Sequence, residues 1–117
     1  MTKLLGVTAE EFAATYLGHK GYEILHKNLS FSFGELDLVA LDKKTVVFIE
    51  VKYRSSLSFG YPFEAVGKSK QRKIILAAKA YLARFKVVPD CRFDVISLHG
   101  DLKNPQVEHI IDAFWDE

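Results

Sequence analysis

The chain has 117 residues, 49% hydrophobic and 26% charged, with 16 basic residues against 15 acidic ones. This is the composition of one ordinary globular domain with a single core, and the near-neutral balance is not the strongly basic one of a typical nucleic-acid binder, so a polyanionic partner would have to be held by a local patch. One cysteine, Cys91, excludes an internal disulfide and a cysteine zinc cluster. The first residues lack the apolar core and cleavage site of a signal peptide, and no apolar run is long enough to cross a bilayer. A reducing, cytoplasmic setting without a membrane partner is the expectation.

Residues 8 to 19, "TAEEFAATYLGH", carry a helical pattern in which Ala9, Phe12, Ala13, Tyr16 and Leu17 form one apolar stripe. Thr8 and Glu11 have the spacing of a capping box, and Gly21 suits the exit. Glu11 points away from the stripe, while Glu10 lies on its border, where it can look inward.

"YEILHKN", 22 to 28, predicts a strand, and "LSFSF", 29 to 33, alternates and either extends it or forms an edge. "ELDLVAL", 35 to 41, and "TVVFIEVKYR", 45 to 54, predict a hairpin across the polar tip "DKK". The stretch 55 to 66 carries Gly60 and Pro62 and is a predicted loop. Ile74, Ile75, Ala78, Tyr81, Leu82 and Phe85 recur at helical spacing and predict a second helix over roughly 69 to 86, stopped by Pro89. "CRFDVISL", 91 to 98, predicts a strand, and 106 to 115 is compatible with either a strand or a helix. A strand pair linked by a helix favours parallel pairing at one edge of a mixed sheet covered by helices.

The hairpin raises a chemical question. A two-residue turn at Lys43 and Lys44 sets Asp42 opposite Thr45, Leu41 opposite Val46, Val39 opposite Phe48, Asp37 opposite Glu50 and Glu35 opposite Lys52. Asp37 and Glu50 then share a face, with Lys52 two residues along. Two carboxylates roughly 5 Å apart repel by about 3 kcal/mol at an effective dielectric near 20. A divalent cation, a retained proton or a salt bridge to Lys52 would relieve that repulsion.

Oxygen ligands of this kind suit Mg2+ or Mn2+, and Glu10 could add a third carboxylate from the first helix. Lys52 could then orient a water or offset charge on a phosphate. "KSKQRK", 68 to 73, opens the second helix with Lys70 and Arg72, a combination suited to a phosphate backbone. Arg54, just after the site strand, could hold a phosphate. The aromatic residues Tyr53, Phe59, Tyr61 and Phe63 flank the 55 to 66 loop, where base stacking, core packing and a dimer contact are all open. "GKS", 67 to 69, lacks the first glycine of a P-loop because position 62 is Pro62.

The Asp37 strand and the "EVK" at 50 to 52 resemble the PD-(D/E)XK superfamily of restriction-endonuclease-like nucleases. "AEEFAATYLGHKGYEILHKN", "GELDLVALD", "VVFIEVKYR", "FGYPFEAVGKSKQRKI" and "RFDVI" together resemble the YraN-like family, small bacterial proteins similar to Holliday-junction resolvases. The resemblance implies an α/β fold with a restriction-endonuclease-like αβββαβ core. It implies catalytic and metal positions at Glu10, Asp37 and Glu50, with Lys52 as the catalytic lysine. Gln71 becomes a further position beside Lys70, Arg72 and Arg54 for nucleic acid. The implied activity is Mg2+- or Mn2+-dependent hydrolysis of phosphodiester bonds in structured or double-stranded DNA, with a homodimer as a further expectation by analogy. The proline of the superfamily motif is replaced by Leu36, and "LSFSF" lacks basic residues before the "GELD" stretch. A nucleic-acid-binding or protein-interaction module without turnover is therefore the alternative.

Overall fold

The computed structural model describes residues 2–116, with side chains described from residue 8 onward. Helix α1 (Thr2–His19) is followed by strands β1 (Glu23–Phe31), β2 (Gly34–Asp42) and β3 (Thr45–Arg54), helix α2 (Lys68–Leu82), and strands β4 (Cys91–His99) and β5 (Gln106–Phe114). The five strands form one mixed sheet in the order β1-β2-β3-β4-β5. Only β3 and β4 run parallel, and α2 makes the long connection that parallel neighbours require. The expected αβββαβ order is present, consistent with a restriction-endonuclease-like core. No helix among the described residues is long and apolar enough to cross a membrane.

One helix covers each face of the sheet. Ala9, Ala13 and Leu17 of α1 pack on Leu38, Val47, Ile49 and Ile96. Ile74, Ala78 and Tyr81 of α2 pack on Leu36, Val39, Phe48 and Val95. On the α2 face, Phe48, Phe93 and Phe114 form a stack across β3, β4 and β5, with centroids 5.4 and 5.1 Å apart. Such pairs add about 0.5–1.5 kcal/mol each beyond their buried area.

The α1 exit follows its sequence signal. Gly21 takes φ 93, Tyr22 N–H reaches the Leu17 carbonyl at 3.0 Å and Gly21 N–H reaches Gly18 at 3.0 Å. This pair of bonds is a Schellman motif, and the left-handed position accounts for glycine there.

Four expectations need correction. First, α1 begins at Thr2, so Thr8 lies inside the helix and not at the N-cap position expected for it. The N–H groups a cap would satisfy are already bonded along the preceding turn. Second, α2 ends at Leu82 rather than near 86, ahead of Pro89, and Phe85 is 38% exposed beyond it. Third, residues 106 to 114 form strand β5 alongside β4, so the parallel pair is interior rather than at an edge. Fourth, the β2–β3 ladder follows the expected register from Asp42–Thr45 to Leu38–Ile49 and stops there. Neither Asp37 and Glu50 nor Glu35 and Lys52 are therefore ladder partners, although the expected register sets both pairs opposite each other.

Candidate metal and active site

The site lies where β2 and β3 separate. Regular pleating would put Leu36 and Leu38 on one face, yet Leu36 packs in the α2 layer and Leu38 in the α1 layer. The alternation of β2 therefore breaks at Asp37. Opposite it on β1, Asn28 takes φ 53, a left-handed conformation that asparagine tolerates better than most residues. Across the opening, Asp37 Oδ2 accepts the backbone N–H of Val51 at 2.9 Å. A side-chain oxygen thus substitutes for the ladder carbonyl.

The break brings side chains from both helical layers to Asp37. Glu10 arrives from α1 and Glu50 from the α2 face of β3; both line one cleft with Asp37, and Glu10 offers an oxygen within 4.8 Å of one of Asp37. Burial, the Asp37 charge and hydrogen bonding to Asp37 push Glu10 up to about 7, the Glu35 charge adding to them against a bond from Asn28. Burial, the Asp37 hydrogen bond and the Asp37 charge push Glu50 up to about 9, against the opposing charges of Lys70 and Lys52. The retained protons are the alternative to a cation, since neighbouring carboxylates in a half-buried cleft repel unless one or the other relieves them.

Glu50 is 4% exposed, and among the described residues its Oε2 has no hydrogen-bond partner. Lys70 Nζ stands 3.5 Å from that oxygen. A buried, underbonded carboxylate oxygen beside a fixed Asp37 is a donor set for a hard divalent ion. Glu10, Glu35 and Asp37 also offer oxygens within 4.8 Å of one another, close enough to share one cation. Mg2+ or Mn2+ fits these residues on oxygen chemistry and spacing.

The cleft encloses about 430 Å³ and is lined by Glu10, Asp37, Glu50, Lys52, Arg54 and Lys70. These are six of the expected site positions. Arg54 donates from Nη1 to the carbonyls of Phe59 and Gly60, the latter at 3.2 Å, and so braces the loop after β3. Gln71 and Arg72 do not line this cleft. Gln71 donates its amide to the Val66 carbonyl at 3.1 Å, and both residues border a separate depression with Trp115.

Glu35 and Asn28 were missed in the sequence. Glu35 follows Gly34 in the same short stretch as Asp37, but regular alternation would set both on one face while assigning Glu35 to Lys52. Asn28 carried a signal in that asparagine is depleted from strand interiors, and its left-handed backbone is the reason it is tolerated there.

The family model described as Uncharacterised protein family UPF0102 matches residues 9–98. The chain belongs to UPF0102. The UPF0102 protein of Chlorobium limicola is 45% identical over 97% of the chain and 93% of its own length. That of Chlorobium chlorochromatii is 47% identical over 97% of the chain and 92% of its own length. That of Caldanaerobacter subterraneus subsp. tengcongensis is 45% identical over 96% and 95%. The stretch matched by the UPF0102 model contains Glu10, Asp37, Glu50, Lys52 and Lys70.

Proposed function

We propose that this UPF0102 protein is a metal-dependent endonuclease-like hydrolase of the PD-(D/E)XK type, acting on phosphodiester bonds in structured or double-stranded DNA. The observation that carries the reading is one cleft lined by the carboxyl groups of Glu10, Asp37 and Glu50 together with Lys52. Glu10, Asp37 and Glu50 would hold Mg2+ or Mn2+, and Glu35 stands close enough to add an oxygen. When bound, the ion supplies Lewis-acid polarisation of a phosphate oxygen and lowers the pKa of a coordinated water.

The protein's own groups do the rest. Lys52 presents an ammonium to the cleft, where it orients the attacking water and offsets charge developing on the phosphate. The Val51 N–H fixes one oxygen of Asp37, so the carboxylate is held before substrate arrives. Lys70 and Arg54 place positive charge beside the acids for the nucleic-acid backbone. Two such clefts in a homodimer would suit a two-fold symmetric DNA substrate.

A second reading, nucleic-acid binding without turnover, is favoured by the net charge of +1 and by the engagement of Lys70 with Glu50. Plasmid and four-way-junction cleavage with Mg2+ or Mn2+, set beside calorimetric titration with Mn2+, separates the two. Metal binding with cleavage lost in Lys52→Ala supports hydrolysis. Retained DNA binding with no metal uptake at millimolar concentration supports the module, and equal cleavage by wild type and Lys52→Ala removes the role given to Lys52.

A further inference from the structure

On the turn that the cleft-lining Arg54 holds stands an aromatic ring that the core does not use. Phe59 is 90% exposed, whereas the neighbouring rings are engaged. Tyr61 stacks on Phe63 with centroids 5.4 Å apart and meets His99 edge-on, and the Tyr53 hydroxyl donates to the Gly100 carbonyl at 2.6 Å. Among the described residues Phe59 belongs to no ring pair.

The backbone that carries Phe59 is held. Gly60 takes φ 98, and its N–H reaches the Leu57 carbonyl at 3.0 Å, closing a tight turn. Arg54 spans the base of this turn by donating to the carbonyls of Phe59 and Gly60, and the same Arg54 lines the cleft. One guanidinium thus joins the phosphate-facing wall to the residue that displays the ring. A braced turn keeps an apolar ring in water that a slack loop would let fold back.

We infer that Phe59 is a stacking platform for an unpaired base of the DNA whose backbone occupies the cleft, so that the preferred substrate carries an unstacked nucleotide near the reacting phosphate. The inference rests on the nucleic-acid reading of the cleft and gives it a substrate class. The occupant follows from linked chemistry: Lys52, Arg54 and Lys70 supply cations for a phosphate chain, and the turn that Arg54 holds displays a ring with a free π-face. Every base has such a face, so stacking is sequence-tolerant and selects for unstacked bases rather than for a sequence. Bases inside a continuous duplex are already stacked on each other and offer nothing to Phe59.

The test uses the full chain in Ca2+, with a short DNA duplex carrying one unpaired 2-aminopurine and the matching continuous duplex. Wild type is expected to quench the 2-aminopurine fluorescence and to bind the bulged DNA more tightly. Phe59→Ala should weaken binding to the bulged DNA about tenfold, leave the continuous duplex unchanged and abolish the quenching. Phe59→Trp should restore both. Equal affinity of wild type and Phe59→Ala for the bulged DNA, equal loss on both DNAs, or no quenching by wild type would overturn the inference. Phe59-dependent stacking without Mn2+-dependent cleavage would sink the nuclease reading alone. Mn2+-dependent cleavage with binding and quenching of the bulged DNA indifferent to Phe59 would sink the stacking alone.

Discussion

Asp37 accepts the backbone N–H of Val51 at 2.9 Å at the point where β2 and β3 cease to pair. This bond makes an acidic side chain part of the sheet's own hydrogen bonding. It also fixes the carboxyl in the cleft that Glu10 and Glu50 line, so one residue serves both the framework and the charge cluster. The two roles can be separated by substitution.

Asp37→Asn keeps an oxygen for the Val51 N–H and removes one charge from the acids. The metal-free variant should melt at or above the wild-type temperature. On the proposed function Mn2+ raises the wild-type melting temperature, and the variant should lose that response. Asp37→Ala orphans a partly buried N–H and should be less stable than Asp37→Asn by about 1–3 kcal/mol in urea denaturation.

Glu10 and Glu50 have raised pKa values, about 7 and about 9 against an ordinary value of 4.5. The folded protein therefore holds protons that the unfolded chain releases. The stability these groups contribute is complete below pH 4.5 and is lost as pH rises through 7 and then 9. For the buried Glu50 the slope in that window is on the order of 1 kcal/mol per pH unit. Thermal melts in EDTA should show this decline, and saturating Mn2+ should flatten it, because metal replaces the protons. A metal-free stability that climbs between neutral and mildly alkaline pH would contradict the shared-proton cluster.

Glu35 lies within 4.8 Å of both Glu10 and Asp37 by its nearest oxygen. Glu35→Gln should weaken Mn2+ binding about tenfold in calorimetric titration, with the melting temperature in EDTA little changed. An unaltered affinity would place Glu35 outside the metal's reach.

Asp94 provides a contrast away from the cleft. It is fully buried and accepts from Arg92 at 2.9 and 3.0 Å and from the Asp112 N–H at 3.0 Å, with His109 Nε2 at 2.7 Å. Burial pushes its carboxyl up, but the bonds from His109, Arg92 and Asp112 outweigh it and hold the value low. Asp94→Ala leaves a half-buried guanidinium without its main partner and should destabilise by about 3–5 kcal/mol. Mn2+ affinity of the folded fraction should be unchanged, which distinguishes this framework network from the acids of the cleft.

Much of this was written in local pattern. The β2–β3 register from Asp42–Thr45 to Leu38–Ile49 follows from alternation and a two-residue turn in which Lys43 adopts φ 57. The apolar stripes of both helices, the outward Glu11 and the border position of Glu10 follow from helical spacing. The last strand was illegible for a local reason: Asp112 takes φ 56, the β4–β5 register shifts between Phe93 and Val95, and the period of two is interrupted. Gly6 and Val7 similarly muted the helical signal at the start of α1.

By itself the order of residues determined which side chains repeat on which face, and therefore that Asp37, Glu50 and Lys52 come from adjoining strands. Tertiary structure alone decided that β2 changes face at Asp37, that Glu10, Glu35 and Asn28 meet there, and that Gln71 and Arg72 do not. Periodicity describes a strand only while its hydrogen-bond ladder continues. Where a side chain takes over a ladder bond, as Asp37 does for Val51, the outcome depends on partners distant in the chain.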